Sequence, residues 1–152
     1  MTIPPVEKQL EVNVSAAEAF DIFTSGINDW WPKATHSLSQ NPAANVVFEM
    51  GVGGKIIETA PDGTVHIWGE VKDWSPAERL RFSWGVRHGL DKATEVELSF
   101  TALAPNRTLV ALTHRGWDVH GADGGPLREQ YHGGWDGVFG EGYRSACLRA
   151  AA

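Results

Sequence analysis

The feature that most constrains the fold is a long series of strand patterns in the middle of the chain, flanked by helical patterns near both ends. The strand patterns are separated by turn signals such as Pro61-Asp-Gly63 and Pro105-Asn106. They cover residues 45–50, 54–60, 64–74, 78–85, 93–103 and 107–115. Strands joined by such short turns pair in the antiparallel sense, so the series predicts an antiparallel sheet.

A seventh strand and a helix precede this series. Residues 6–14 alternate apolar and polar side chains, which favours a strand with one buried face. Ser15 and Glu18 then have capping-box spacing, because a serine hydroxyl and a glutamate three residues later satisfy free amides at a helix start. The apolar residues that follow predict a short helix ending at about Thr24.

A second short helix and a loop complete the N-terminal part. Gly26 interrupts the first helix, and residues 27–32 predict a further helical turn that Pro32 stops. Residues 33–44 show neither period and are interpreted as a loop.

The C-terminal region predicts one long helix. After a Gly-rich loop at 120–126, a helix is expected from Pro126 to about Arg149. Its apolar stripe comprises Leu127, Tyr131, Trp135, Val138, Gly142 and Ala146. Five glycines weaken it by about 1 kcal/mol each relative to alanine: Gly133, Gly134, Gly137, Gly140 and Gly142. Two interpretations stay open: the glycines permit close approach to the sheet, or they leave room for a ligand.

Alternation also predicts which strand faces point inward. The clean inner sets are Leu80, Phe82 and Trp84; Val96, Leu98, Phe100 and Ala102; and Thr108, Val110, Leu112 and His114. The strand at 64–74 is ambiguous, since Val65, Ile67 and Val71 share one phase while His66, Trp68 and Glu70 share the other.

Length and charge narrow the function classes. The 152 residues fit a single domain spanning 1–152. Thirteen Lys and Arg against nineteen Asp and Glu give a net charge of −6 with no basic patch, which argues against nucleic-acid binding. A single cysteine, Cys147, and the absence of a long apolar stretch or leader pattern predict a cytoplasmic protein that does not insert into a membrane.

The order of elements and a distributed set of short motifs carry a resemblance over essentially the whole chain. The motifs are Ala19-Phe20 to Trp30-Trp31, Gly51-Val-Gly-Gly54, Asp62-Gly63, Gly69-Glu-Val71, Pro76-Ala-Glu-Arg-Leu80, Phe82-Ser-Trp84, Thr113-His114 and Gly134-Trp135. In these the chain resembles the START-like (SRPBCC, birch-pollen-allergen-like) superfamily. Within it, the chain is most similar to the family related to the C-terminal domain of the activator of heat-shock-protein-90 ATPase.

This resemblance implies an α+β helix-grip fold: a curved seven-stranded antiparallel sheet wrapped around a long C-terminal helix, with two short helices after the first strand. It also implies an apolar cavity between sheet and helix that holds a small hydrophobic or aromatic molecule. Some members are enzymes of the cyclase or aromatase kind, and the eukaryotic namesake binds a chaperone. The family has no universal catalytic set, so the catalytic residues stay unassigned. The chain lacks the namesake's additional N-terminal domain, which argues against a co-chaperone role.

Twelve residues are the candidates for the pocket. They are Trp30, Trp31, Phe48, Trp68, Glu70, Phe82, Trp84, Phe100, His114, Trp135, Phe139 and Tyr143. Aromatic walls favour flat or apolar ligands, whereas the alternative interpretation is that these rings are ordinary core. No metal motif and no cofactor fingerprint is recognised, so neither a metal nor a cofactor is expected.

Three functions are therefore weighed, with a non-catalytic binder of a small hydrophobic molecule favoured. The second is a cyclase-like or hydrolase-like enzyme, which requires His114 to meet Glu70, His66 or Tyr143 in the pocket. A satisfied core histidine is the alternative role for His114. The third is a module that binds a chaperone through an exposed apolar patch. Either a monomer or a homodimer fits the sequence.

Overall fold

The predicted strands form one curled antiparallel sheet in the computed structural model, which describes residues 2–85 and 92–151. The strands are β1 Val6–Val12, β2 Asn45–Phe48, β3 Lys55–Thr59, β4 Val65–Ser75, β5 Arg79–Trp84, β6 Thr94–Ala104 and β7 Arg107–Arg115. Their order across the sheet is β1-β7-β6-β5-β4-β3-β2. The first strand therefore pairs with the last, and β2 lies at the opposite edge.

Helices lie in two groups, one after β1 and one at the C-terminus. The first group is α1 Ala16–Phe23, α2 Ile27–Trp30 and α3 Lys33–His36. The second is a 3₁₀ segment Trp117–Asp123, α4 Gly124–Gly137, a π-helical turn Val138–Tyr143 and α5 Arg144–Ala151. This arrangement confirms the predicted α+β helix-grip fold, with a long C-terminal helix held by the sheet.

Helix α1 begins as the capping pattern predicts. The Ser15 hydroxyl accepts a hydrogen bond from the Glu18 amide at 3.2 Å. Its apolar side, which includes Phe20 and Phe23, is buried against the sheet. The cap and the apolar face together fix where the helix starts and which way it faces.

Two segments predicted as loops are helical, and both predictions were wrong for the same reason. Helix α3 occupies the start of the 33–44 segment, where the Pro32 carbonyl accepts from the His36 amide at 2.9 Å. The 3₁₀ segment occupies part of the predicted Gly-rich loop at 120–126. Helices this short have too few turns to show a hydrophobic period in the sequence.

The C-terminal helix packs the predicted stripe against the core, with Leu127, Tyr131 and Gly142 half-buried, and it buries further residues beside that stripe. Trp135 and Val138 are buried as expected, and Phe139 and Tyr143 are buried as well. The π-helical turn adds a residue to the helical repeat, so two adjacent residues, Val138 and Phe139, both face the core.

Two bulges resolve the orientation of the ambiguous strand β4. The register shifts once at Trp68, which is extra relative to β3, and again at Lys72, which is extra relative to β5. Each extra residue changes the phase of alternation. Trp68 and Val71 are therefore both fully buried, although they belong to opposite phases in the sequence.

The other three inner faces are buried as predicted, with one exception. Ala102 near the end of β6 is exposed, which corrects its assignment to the inner set. The register of β6 against β7 shifts beside it, between Ala102 and Ala104, so the alternation does not continue to the strand end. The core between sheet and helix is rich in aromatic rings in edge-to-face and tilted contact.

Candidate functional site

A cavity of about 420 Å³ lies between the C-terminal helix, the end of β5 and the segment around α3. This volume is within the range of small-molecule sites. The cavity is partly open to solvent. Its lining residues are Trp31, Thr35, His36, Ser37, Trp84, Leu127, Gln130, Tyr131, Gly134, Trp135 and Val138.

Three tryptophans from three different elements form its aromatic wall. Trp31 follows α2, Trp84 ends β5 and Trp135 lies on α4. Their ring centroids are 5.8 Å apart for Trp31 and Trp84, 6.2 Å for Trp31 and Trp135, and 6.0 Å for Trp84 and Trp135. Mutual contact holds the rings in place, so the wall exists before any ligand arrives.

Gly134 keeps one side of the cavity open. A methyl group placed on its Cα would have no atom within 4 Å, apart from its own helix backbone and chain neighbours. By contrast, a methyl group on Gly142 would lie 3.3 Å from the Trp30 carbonyl oxygen. The two interpretations of the helix glycines thus apply to different positions: close approach at Gly142 and open space at Gly134.

Polar groups are concentrated on the α3 side of the cavity. The Thr35 hydroxyl and Nδ1 of His36 are 2.7 Å apart. The indole N–H of Trp31 donates to the His36 carbonyl at 2.9 Å, which fixes the α3 end against the aromatic wall. A ligand in this cavity would meet aromatic rings on one side and hydroxyl and imidazole groups on the other.

The twelve predicted pocket residues separate into four groups in the structure. Trp31, Trp84 and Trp135 line the cavity. Seven others are buried in the core and do not line the cavity: Trp30, Phe48, Trp68, Phe82, Phe100, Phe139 and Tyr143. His114 is buried under the aromatic wall, and Glu70 is partly exposed and does not line the cavity. A role for any of them in ligand binding stays a prediction.

His114 is the centre of a hydrogen-bonded chain that joins the helix to the sheet. The indole N–H of Trp135 donates to its Nδ1 at 3.0 Å. Its Nε2 therefore carries the proton and donates to the Thr94 hydroxyl at 2.6 Å, which in turn donates to the Trp84 carbonyl at 3.2 Å. Both ring nitrogens are hydrogen-bonded, as expected if His114 has the alternative role of a satisfied core histidine.

Burial keeps this imidazole neutral. Loss of solvent around the ring lowers the pKa of His114 to about 3. A neutral ring is required for the Nδ1 contact, because a protonated Nδ1 would oppose the Trp135 N–H group with a second donor. His114 is suited to orienting Trp135 rather than to exchanging protons near neutral pH.

The predicted catalytic combination of His114 with Glu70, His66 or Tyr143 is not assembled. Glu70 pairs with Lys72 at 2.9 Å and Lys55 at 3.5 Å, and hydrogen bonds from these lysines, Lys72 first, lower its carboxyl pKa. The Tyr143 hydroxyl donates to the Ala19 carbonyl at 2.7 Å. Burial raises the pKa of that hydroxyl, so it holds its proton.

Sequence reasoning missed the polar side of the cavity and its support. Thr35, His36 and Ser37 lie in a segment without a periodic pattern in the sequence. Leu127 and Tyr131 belong to the predicted apolar stripe and could have been identified as lining residues from it. Glu58 was also missed. This fully buried carboxylate accepts from the amides of Leu38 and Ser39 at 2.9 and 3.0 Å and so holds the chain that follows α3.

Within residues 2–85 and 92–151, no group of three or more acidic, histidine or cysteine side chains is placed to hold a metal ion. In the same part of the chain, no helix has both the length and the apolar character needed to cross a bilayer.

Comparison with known proteins places this chain in a family. The family model for activator of Hsp90 ATPase homolog 1-like proteins matches residues 13–141. No curated protein matches the chain.

Several solved structures share the fold over nearly the full chain. An anthrahydroquino-gamma-pyrone synthase, solved in complex with SUM, is 30% identical, covers 95% of this chain and 97% of its own, and gives a TM-score of 0.67. A self-sacrificing resistance protein from Micromonospora echinospora is 19% identical, with coverage of 98% and 97% and a TM-score of 0.70. An Hsp90 activator from Plasmodium falciparum is 21% identical, with coverage of 90% and 91% and a TM-score of 0.63. On the match across residues 13–141 and the 30% identical relative, this chain belongs to the activator of Hsp90 ATPase homolog 1-like family.

Proposed function

We propose that the protein binds a small, flat, largely apolar molecule in the cavity between its sheet and its C-terminal helix. The observation that carries this proposal is the preformed wall of Trp31, Trp84 and Trp135 facing the open space at Gly134. Stacking on aromatic faces favours planar ring systems. The synthase relative, whose name refers to a fused-ring product, supports the same ligand class.

Native mass spectrometry on freshly purified protein tests whether such a molecule is retained. Gentle activation should release a discrete mass in the range of a small organic compound. The same spectrum counts the subunits and so distinguishes a monomer from a homodimer.

A pair of glycine variants tests where that molecule binds. Gly134→Leu places a side chain in the cavity from a position where its Cβ meets no neighbour, and it should abolish retention of the added mass. Gly133→Leu is the matched control, because Gly133 is exposed on the same helix, has the same free space and does not line the cavity. Equal retention by both variants would contradict binding at this site.

An enzyme is the second candidate, and the position of His36 favours it. His36 lines the cavity, and its Nδ1 is 2.7 Å from the Thr35 hydroxyl, which orients the imidazole for proton transfer to or from a bound ligand. His36→Gln should then leave binding of the retained compound intact and stop its conversion, as followed by mass spectrometry. Unchanged conversion would exclude His36 as the proton-transfer group.

A chaperone-binding module is the third candidate, and exposed side chains between β2 and β3 favour it. Met50 and Val52 are 75% and 71% exposed in this turn. Met50→Ser with Val52→Ser should weaken binding to an Hsp90-type chaperone in a calorimetric titration, because the apolar contact would be lost. Leu148→Ser, which changes an exposed apolar residue on α5, is the control that should have no effect.

A further inference from the structure

Among the buried tryptophans, one indole N–H group has no hydrogen-bond acceptor. Buried donors in proteins are almost always paired, because an unpaired one has lost its hydrogen bonds to water without replacing them. Five of the six buried tryptophans obey this rule and donate to Ile22, His36, Glu58 or His114; they are Trp30, Trp31, Trp68, Trp117 and Trp135. The sixth, Trp84, has no acceptor for its Nε1 within the residues that the structure describes.

The unpaired donor belongs to a cavity wall. Trp84 is only 6% exposed, and its nitrogen has almost no accessible surface. The Thr94 hydroxyl donates to the Trp84 carbonyl and contacts Nε2 of His114, and neither it nor His114 accepts from the Trp84 nitrogen. A molecule that enters the cavity beside Trp84 can supply the missing acceptor.

We infer that the ligand of this cavity carries a carbonyl or ether oxygen at its buried edge, and that this oxygen accepts a hydrogen bond from the indole N–H of Trp84. The inference rests on the proposed binding function and adds a selection rule to it. A planar hydrocarbon satisfies the aromatic wall but leaves the donor unpaired, whereas a planar ketone of the same shape satisfies both.

Selection at this position also implies a small movement of the wall. Because the Trp84 nitrogen is covered in the structure, a ligand oxygen reaches it only when a neighbouring group shifts. Trp31 is the neighbour with the shorter centroid distance of the two cavity rings, at 5.8 Å, and it belongs to a connecting segment rather than to the helix or the sheet. Loops adjust more readily than the elements that they connect.

Two compounds of nearly identical shape test the inference. Fluorene is a planar hydrocarbon, and 9-fluorenone adds one carbonyl oxygen to the same ring system. Equilibrium dialysis with absorbance detection should show that the wild-type protein binds fluorenone about 10-fold more tightly than fluorene, which is the ratio expected when a buried donor gains its acceptor. Equal affinities would overturn the inference, because the carbonyl oxygen would then add nothing to the affinity that stacking on the rings provides.

Variants assign the preference to Trp84. Trp84→Phe should reduce the ratio of affinities to about 1, because phenylalanine stacks but has no N–H group. Trp74→Phe is the matched control, because it removes an indole N–H group outside the cavity and should retain the 10-fold ratio. The inference fails if Trp84→Phe keeps the preference.

Controls separate failure of this inference from failure of the proposed function. If Trp84→Phe does not fold, benzothienylalanine at position 84 takes its place, because it keeps the bicyclic ring and replaces the N–H group by sulfur. Binding of neither compound by folded wild-type protein would contradict the proposed site for planar ligands and the inference with it. Binding of both without discrimination would contradict the inference alone.

Discussion

Glu58 shows how one residue determines a wall of the cavity. Its carboxylate accepts from the Ser39 hydroxyl and from the indole N–H of Trp68 at 3.1 Å, in addition to the two amides after α3. Burial opposes ionisation, but these hydrogen bonds outweigh it and hold the pKa of Glu58 below its ordinary value. The segment bearing Thr35 and His36 is thereby attached to β3.

We predict that Glu58→Gln lowers the free energy of unfolding by about 2 kcal/mol, because the amide has one acceptor oxygen and turns a donor towards other donors. Urea unfolding at pH 7 measures this loss. Glu97→Gln is the control and should cost less than about 1 kcal/mol, since Glu97 is partly exposed on the outer face, where it pairs with Arg115. A comparable loss in both variants would show that Glu58 has no special role.

At this scale, sequence reasoning located residues better than it assigned their roles. Alternation along β7 correctly turned His114 inward, but its partners Thr94 and Trp135 come from β6 and α4. Glu58 could not be predicted at all, because its partners Leu38 and Ser39 lie 20 and 19 residues away in a segment without periodicity. Contacts between distant parts of the chain leave no local pattern to read.

At the scale of elements, the glycines of the C-terminal helix lower its helix propensity, and the effect of replacing each one depends on the space around it. We predict that Gly133→Ala raises the free energy of unfolding by about 0.5 to 1 kcal/mol, because alanine favours the helix and a methyl group there meets no neighbour. Thermal unfolding measures the gain. Gly142→Ala should give no gain, since its methyl group would lie 3.4 Å from the Trp30 ring and 3.3 Å from the Trp30 carbonyl.

Strand β4 shows why one element resisted prediction while its neighbours did not. β5 keeps a single phase, so Leu80, Phe82 and Trp84 all face the core as expected. β4 contains two bulges, and alternation along a strand is informative only while the register is unbroken. The bulge at Trp68 directs that side chain inward. Its indole N–H donates to Glu58, and its ring centroid lies 5.1 Å from that of Trp31.

At the scale of the whole molecule, the same histidine that orients the cavity wall makes global stability sensitive to acid. The pKa of His114 is depressed to about 3 in the folded state, against an ordinary value of 6.5 that applies once the chain unfolds. Below pH 6.5 the unfolded chain therefore binds a proton that the folded protein does not. Stability should fall by about 1 kcal/mol per pH unit from pH 6.5 towards pH 3.

The loss of stability caused by His114 begins at a higher pH than the loss caused by the glutamates. Glu58 and Glu95 have lowered pKa values in the folded state, so their stabilising contributions are lost only as the pH falls below about 4.5. Between pH 6.5 and 4.5, the predicted loss of about 2 kcal/mol is therefore assigned to His114.

Urea unfolding at a series of pH values measures this dependence, and His114→Asn tests its origin. The asparagine side chain does not titrate, and its oxygen can take the place of Nδ1 as acceptor for Trp135. The variant should be less stable than the wild type at pH 7, because the smaller side chain leaves a void, yet its stability should change little between pH 6.5 and 4.5. A wild-type slope retained in His114→Asn would place the acid sensitivity elsewhere. A slope that disappears would show that protonation of His114, the residue that holds Trp135 against the sheet, causes the loss of stability in acid.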